Sequence, residues 1–199
     1  MRGAAIKPQT TVLTLLAASS LLLGLACSGG GGGTSQPQPT PNATSLAYTD
    51  PATGTWQLKK NTGLSTANRL VLDIVASGAG QGAGIAFHVT VDGTKATWAK
   101  VADTDPEYIR NGTVFNLGSG VQAIRGKVSG STLQAVVSQK GLAGSPTLNG
   151  TVATVALTLN SGVTPGAVSL SVVSGKAQVL TAAGETPTLT LALGTLTAQ

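Results

Sequence analysis

Acid–base and metal chemistry in this 199-residue chain would depend on few side chains, and the first is its one histidine, His88. A Ser-His-Asp catalytic set would need this imidazole as its base, with Asp73 or Asp92 to orient it. No Gly-x-Ser-x-Gly sequence, the turn that exposes a serine nucleophile in many hydrolases, occurs in the chain. A zinc site would lack a second histidine, and the one cysteine, Cys27, is remote in sequence. We therefore predict no catalytic residue, no cofactor and no metal ion, and a protein that is not an enzyme.

Asp103, Asp105 and Glu107 form the one acidic cluster of the sequence. Alternating carboxylates in a loop could bind Ca²⁺, because this ion is coordinated by oxygen atoms. The stretch lacks the spacing of an EF-hand loop and Pro106 stiffens it, so the favoured alternative is a solvated turn. Paired carboxylates could also hydrolyse a glycoside, but nothing in the flanking sequence predicts a substrate cleft.

Cys27 has a different chemical context, which is set by the residues on either side of it. Arg2 and Lys7 give a basic start, residues 11–26 are apolar but short for a membrane-spanning helix, and a run of glycines follows the cysteine closely. This arrangement resembles a bacterial lipoprotein signal peptide. The resemblance implies cleavage before Cys27 and lipidation of that residue, which would anchor the mature protein to a membrane. The alternative is a secretory signal cut at Ala26, which would leave a thiol with no disulfide partner.

The residues after Cys27 bear on location and domain organisation. Ser28, in place of Asp, resembles the pattern of lipoproteins sorted to an outer membrane, so we expect a lipid anchor there, on the periplasmic or the cell-surface side. Residues 28–45 are rich in glycine and proline and have no apolar run, which predicts a flexible tether. The predicted organisation is a signal peptide at 1–26, a lipidated cysteine with its linker at 27–45, and a folded domain at 46–199.

The size and charge of the predicted domain limit its function. About 150 residues is the usual length of one domain and supports a core that needs no disulfide or metal. The chain has 12 Lys and Arg against 7 Asp and Glu, and ten basic residues remain once Arg2 and Lys7 are removed. Lys59 and Lys60 are the only adjacent basic pair. The sequence therefore predicts no nucleic-acid partner.

The domain sequence alternates apolar and polar residues, which is the pattern of β-strands with one buried face. The clearest case is residues 84–92, with His88 on the polar face. Three further stretches show the same alternation. The predicted buried faces are Ile85, Phe87, Val89 and Val91; Leu70, Leu72, Ile74 and Ala76; Val155, Leu157 and Leu159; and Leu189, Leu191 and Leu193.

Pairs of turn-forming residues separate these stretches. They are Asp92-Gly93, Asn111-Gly112, Ser129-Gly130, Asn149-Gly150, Ser161-Gly162, Pro165-Gly166 and Ser174-Gly175. No stretch after residue 45 predicts a charged amphipathic helix. The spacing indicates about eight to ten short strands, and so an all-β protein, an antiparallel β-sandwich.

The order of the segments resembles that of cohesin-like domains, which are jelly-roll sandwiches related to carbohydrate-binding modules. Residues 84–92 resemble an early apolar strand of that family, residues 95–102 stand where the next strand would be, and residues 149–159 with 167–173 resemble a later pair. The resemblance covers most of residues 54–197. It implies recognition of a separate protein through a sheet face, with dockerin-type partners as the precedent.

Trp56 and Trp98 bear on the alternative functions. Carbohydrate-binding sandwiches stack sugars on exposed flat rings, and Lys100 beside Trp98 in an alternating strand would allow that indole to point outward. A core made of small residues also needs its few large side chains, so burial is the alternative for both rings. We therefore predict protein recognition at the cell envelope, with polysaccharide binding through Trp56 and Trp98, or a structural role in an envelope assembly, as alternatives.

Overall fold

The computed structural model describes residues 40–115, 123–139 and 145–199, and its regular elements there are all β-strands. Among these residues no helix is long and apolar enough to cross a membrane. The predicted signal peptide, Cys27 and the tether up to residue 39 lie outside the described residues. The strands are β1 (Leu46–Thr49), β2 (Trp56–Lys60), β3 (Leu70–Ala76), β4 (Gly84–Val91), β5 (Ala96–Ala99), β6 (Arg110–Asn111), β7 (Ala123–Ser129), β8 (Thr132–Ser138), β9 (Gly150–Leu159), β10 (Gly166–Val168), β11 (Leu170–Leu180), β12 (Leu191–Ala192) and β13 (Thr195–Ala198).

These strands form three sheets. One has the order β11-β4-β8-β7, a larger one has the order β12-β2-β3-β9-β5 with β6 also paired to β9, and a small one has the order β1-β13-β10. Apolar side chains from all three sheets belong to one hydrophobic core, which makes the two larger sheets the layers of a sandwich. All pairings are antiparallel except that of β12 with β2. The predicted all-β antiparallel sandwich is confirmed apart from this parallel pair.

Strand β4 lies inside its sheet and shows what fixes the register. Its four alternate apolar residues, predicted as the buried face, each keep only 2% of their surface exposed. His88 and its neighbours on the other face are partly exposed. Burying one such apolar side chain contributes about 1.5–3 kcal/mol. A slip of one residue would expose all four at once, so the alternation itself selects the register.

Strands β3 and β9 depart from simple alternation because both of their faces are covered. Leu70, Leu72, Ile74 and Ala76 are buried as predicted. On the opposite face Val71 and Ala156 are also fully buried, and they pack with Val101 from the segment between β5 and β6. Thr154 is buried on that face too, and its hydroxyl donates a hydrogen bond to Asp73 Oδ1 at 2.7 Å.

The strand predicted at residues 189–193 is wrong in its extent. Strand β12 takes up only two of these residues, and Leu191 is the one leucine of the three that is buried. The reason is a change of sheet. The Leu189 amide donates to the carbonyl of Ala177 in β11 at 2.9 Å, whereas Leu191 pairs with Trp56 in β2. A segment that crosses between two layers cannot keep all three alternate side chains in the core.

The turn predicted at Ser174-Gly175 lies inside strand β11 and does not separate two strands. The register of β11 on β4 shifts between Val172 and Ala177, so that the four residues between them lie opposite His88 alone. This is a large β-bulge, which bends the strand and breaks its ladder locally. Gly175 has φ 68°, a left-handed conformation that glycine adopts without steric cost.

Backbone pairing begins before β1. Ala43 is 8% exposed, and the amides of Thr44 and Ser45 both donate to the carbonyl of Gln199, at 2.6 and 2.9 Å. Ser45 in turn accepts a hydrogen bond from the Gln199 amide at 2.9 Å. The last three residues of the predicted linker are therefore part of the fold.

Candidate functional site

His88 projects from the outer face of the four-stranded sheet. Asp73 belongs to the other large sheet, and Asp92 accepts hydrogen bonds from the amide and the hydroxyl of Thr94 at 3.0 and 2.6 Å. Neither carboxylate is hydrogen-bonded to the imidazole, so the structure does not assemble a Ser-His-Asp set around His88. Within residues 40–115, 123–139 and 145–199, no three His, Cys, Asp or Glu side chains come together to hold a metal ion.

The acidic cluster lies in residues 101–109 between β5 and β6, a segment that we call the acidic strap. Each of its carboxylates pairs with a different arginine. The pairs are Asp103 with Arg69, Asp105 with Arg110 at 2.7 Å, and Glu107 with Arg125 at 3.4 Å. The hydrogen bond from Arg110 is the largest effect holding the pKa of Asp105 below its usual value. The alternative of a calcium loop is therefore not supported, because arginines already pair with these carboxylates.

The strap also joins the two large sheets. Arg69 directly precedes β3 of the six-stranded sheet, whereas Arg125 lies in β7, the edge strand of the four-stranded sheet. Glu107 Oε2 accepts a hydrogen bond from the amide of Gly126 in β7 at 2.9 Å. A Cβ atom at Gly126 would lie 2.8 Å from Ile109 Cγ2, so glycine permits this close approach. The segment is therefore more than the solvated turn that the sequence favoured. Its carboxylates are ion-paired, and it covers the edge of β7.

The two tryptophans lie in the core. Trp56 is 6% exposed and Trp98 is 3% exposed. Trp98 Nε1 donates a hydrogen bond to the carbonyl of Ser131 at 3.0 Å, which satisfies the polar end of the ring. The predicted alternation holds over Ala96–Ala99 and the strand ends before Lys100, and the face shared by Ala96 and Trp98 is the inner one. Neither ring offers a face on which a sugar could stack, so the structure does not support Trp56 and Trp98 as ligand contacts.

The outer face of the six-stranded sheet is largely covered. Val101 of the strap packs over Val71 and Ala156, and Arg69 Nη1 donates to the Val101 carbonyl at 3.2 Å. At the centre of this face Asp73 accepts hydrogen bonds at both of its carboxylate oxygens, from Asn61 and Thr154. A partner protein approaching from this side would meet the strap and satisfied polar groups.

The outer face of the four-stranded sheet is uncovered, and we call it the open face. The strand register arranges its side chains in rows across the sheet. Three of these rows are Gln178, Ala86, Val136 and Arg125; His88, Gln134 and Lys127, with Lys176 in the bulge of β11 opposite His88; and Ser171, Thr90, Thr132 and Ser129. All twelve residues are partly or fully exposed. The hydroxyls of Thr90 and Thr132 are 2.8 Å apart and hydrogen-bonded, which joins β4 to β8 across this face.

The four strands of the open face contribute positive charge only. Strands β4, β7, β8 and β11 contain Arg125, Lys127 and Lys176 together with His88, and none of the four contains an Asp or Glu. Arg125 is 82% exposed and is partly neutralised by Glu107 of the strap. Lys127 and Lys176 are exposed; Lys127 lies in the row of His88 and Gln134, and Lys176 lies in the bulge of β11 on the other side of His88.

A shallow pocket of about 180 Å³ lies at one end of the open face. Its lining includes the apolar residues Ala86, Val136 and Leu180 and the polar residues Gln178 and Thr186. Large hydrophobic side chains are otherwise scarce on the surface. Over the described ranges Leu64 alone is strongly exposed, at 47%, and it lies in the loop before β3. The pocket is thus the apolar feature of a mostly polar face.

Sequence reasoning located His88 on a polar strand face but missed the residues around it. These residues come from three other strands: Gln134 pairs with His88, Lys127 pairs with Gln134, and Lys176 lies in the bulge opposite His88. The signal available in the sequence was that residues 84–91, 123–138 and 170–180 contain no acidic residue. Cys27, the predicted lipidation site, lies outside the described residues.

Comparisons with known proteins bear on the fold. No protein-family model matches this sequence, and no curated protein does. Among solved structures, the chain is similar to a cohesin in a type II Cohesin-X-Dockerin complex from Acetivibrio cellulolyticus, with 15% identity, a TM-score of 0.54, and coverage of 69% of this chain and 93% of that one. It is likewise similar to the type II cohesin A11 of Bacteroides cellulosolvens, with 15% identity, a TM-score of 0.51, and coverage of 70% and 96%.

The chain has a cohesin-like β-sandwich fold. A third similar structure supports this, the type II cohesin dyad of the adaptor scaffoldin ScaA from A. cellulolyticus, with 14% identity and a TM-score of 0.55. That match covers 72% of this chain and 48% of the dyad, so the chain spans about half of its length. The cohesin-like sandwich expected from the order of segments is confirmed as a fold.

Proposed function

We propose that this protein is a non-enzymatic lipoprotein of the cell envelope that binds a separate protein through the open face of its cohesin-like sandwich. The observation that carries the proposal is the difference between the two outer faces. One is closed by the acidic strap, whereas the other is a four-stranded surface with uncovered side chains. One of the similar structures is a cohesin in a complex with an X-Dockerin, and this precedent supports a protein as the ligand.

The burial of both tryptophans argues for protein over sugar as the ligand, although Tyr108 of the strap is partly exposed. Sugar recognition by sandwiches uses flat exposed rings, and Trp56 and Trp98 are both buried. Tyr48 is buried as well, at 8% exposure. The three rows of the open face instead offer hydroxyls, amides and cations that suit a complementary protein surface.

The proposed anchor is the lipidated Cys27, in an outer membrane. It would hold the sandwich at the envelope through the glycine- and proline-rich linker that follows. We expect Cys27→Ser to move the protein from the membrane fraction to the soluble fraction of its source cells. Unchanged retention in the membrane fraction would contradict lipid anchoring at this residue.

Site-specific photo-cross-linking in the source cells tests the open face as the binding surface. A photoreactive phenylalanine analogue replaces Gln134, which is exposed at the centre of the face, or Thr195, which is exposed in β13 and serves as the control. We expect a discrete protein adduct from position 134 and none from position 195. No adduct from position 134, adducts of equal yield from both positions, or an adduct with polysaccharide would contradict the proposal.

A further inference from the structure

We infer that the partner docks on the open face with an acidic segment that carries an aliphatic or aromatic anchor side chain. The anchor would fill the pocket formed by Ala86, Val136 and Leu180, and the carboxylates would pair with Lys127 and Lys176. This inference rests on the proposed function, because it names the chemistry of the protein that the open face binds.

The charge of the face is the first argument. Its four strands carry three permanent cations and no carboxylate. Glu107 engages Arg125 from the strap, so the cations left without an ion-pair partner in the described part of the chain are Lys127 and Lys176. An acidic surface meets complementary potential here, whereas a basic one meets like charge, which suppresses binding.

The pocket is the second argument, and it selects a protein segment over an anionic polysaccharide. A cavity of about 150 Å³ holds a benzene ring, so the volume of about 180 Å³ leaves room for one apolar side chain. Sugar acids carry carboxylates but no aliphatic side chain to bury in such a pocket. Filling it would remove apolar surface of both partners from water, which supplies the central contact of an interface.

The spacing of the two features fits one short segment. Ala86 and Val136 share a row with Arg125, Lys127 lies in the next row, and Lys176 lies in the bulge of β11 opposite that row. Neighbouring strands are about 4.8 Å apart, and rows two residues apart are about 7 Å apart, so roughly 10–15 Å separates the pocket from the lysines. A peptide of about a dozen residues can span that distance.

Peptide selection tests this chemistry without knowledge of the natural partner. The full chain, immobilised from detergent, is used to select from a random twelve-residue display library, with counter-selection on the Lys127→Glu/Lys176→Glu variant. We expect the selected peptides to be enriched in Asp and Glu next to a Leu, Ile, Met or Phe. We expect the variant to bind a selected peptide roughly tenfold more weakly than the parent at low salt. Lys60→Glu/Lys59→Glu, on the other large sheet, should bind within about twofold of the parent.

Two further substitutions separate the pocket from the charges. Val136→Asp places a carboxylate at the pocket wall and should abolish binding of the selected peptides. A selected peptide with its apolar residue changed to Gln should bind the parent protein as weakly as the original peptide binds Val136→Asp. Selected peptides without acidic enrichment, or with equal affinity for the lysine variant, would overturn the inference. Tighter binding of polygalacturonate than of any selected peptide would also overturn it.

The two proposals fail in different ways. A protein adduct from position 134 whose yield is unchanged by the lysine substitutions would leave protein recognition in place and refute the acidic partner. Absence of any adduct from position 134 would refute the proposed function itself. Circular dichroism of each variant checks that it is folded, which is expected because both lysines are exposed.

Discussion

The indole Nε1 of Trp98 donates a hydrogen bond to the backbone carbonyl of Ser131 at 3.0 Å and so links the two layers of the sandwich. Trp98 belongs to β5 of the six-stranded sheet, whereas Ser131 lies in the turn between β7 and β8 of the four-stranded sheet. The ring is 3% exposed. Trp98, which was a candidate for stacking against a sugar, is therefore a buried residue that connects the two sheets.

Replacing Trp98 tests this structural role. Trp98→Phe keeps an aromatic ring in the core but leaves the Ser131 carbonyl without its donor and part of the ring volume empty. We expect the free energy of unfolding to fall by about 2–4 kcal/mol. Urea denaturation measures the change, with Thr97→Ala on the outer side of the same strand as a control that costs about 1 kcal/mol or less. A fully stable Trp98→Phe protein would contradict the bridge.

The burial of Trp98 was not predictable because alternation assigns residues to two faces without saying which face is inside. In β4 the apolar residues lay on one side only, and the assignment of Ile85 and Phe87 to the core was confirmed. In β5 both sides carry small or mixed residues, so the alternation left the direction of Trp98 open. The choice is made by the partner sheet, whose Ser131 carbonyl accepts the indole hydrogen bond.

The strap escaped prediction for a different reason. The cluster of Asp103, Asp105 and Glu107 was visible, but its arginine partners lie as far away as Arg69, 34 residues earlier in the chain than Asp103. Ion pairs between such distant positions follow from the fold and leave no local pattern. The same holds for the open face, where the strand order brings Lys127 of β7 and Lys176 of β11 into one sheet from distant parts of the chain.

We expect the acidic strap not to bind calcium and the stability of the protein not to depend on this ion. Its carboxylates already accept bonds from arginines and from backbone amides, such as that of Ala102, which donates to Asp105 at 2.8 Å. A Ca²⁺ ion would have to displace these groups. We expect millimolar Ca²⁺, compared with a chelator at equal ionic strength, to leave the thermal unfolding temperature unchanged. A stabilisation that saturates with Ca²⁺ and disappears in Asp105→Asn would show that the loop binds the ion.

The close contact at Gly126 allows a test of how tightly the strap packs against β7. A methyl group at this position would lie 2.8 Å from Ile109 Cγ2 and 2.9 Å from the Ile109 amide nitrogen, so the strap must move outward. That movement stretches the bond from the Gly126 amide to Glu107. We expect Gly126→Ala to cost about 2–3 kcal/mol, within the range for overpacking.

Gly130 in the next turn serves as the matched control for Gly126. It has φ 58° and open space around its Cα, so Gly130→Ala meets only the cost of a left-handed conformation, about 1 kcal/mol. Urea denaturation of both variants gives the comparison. Equal costs for the two would contradict a close contact between the strap and β7.

The buried hydroxyl of Tyr48 should make the stability of the fold depend on pH in the alkaline range. Its hydroxyl donates to the Leu58 carbonyl at 3.0 Å and accepts a hydrogen bond from the Gly194 amide at 2.6 Å. Burial is the main cause that raises the pKa of Tyr48 from 10.0 to about 12. The folded state therefore holds this proton more tightly than the unfolded state, and the resulting stability is complete below about pH 10 and lost as the pH rises toward 12.

Comparison with Tyr48→Phe isolates this effect. The variant lacks both hydrogen bonds and should be less stable by about 1–2 kcal/mol at neutral pH. Because it has no proton to lose at this position, its stability should fall less steeply than that of the parent above pH 10. Urea denaturation at several pH values from neutral to 11 measures both slopes. Parallel curves would contradict the prediction. They would mean that the Tyr48 hydroxyl ionises as readily in the folded chain as in the unfolded one.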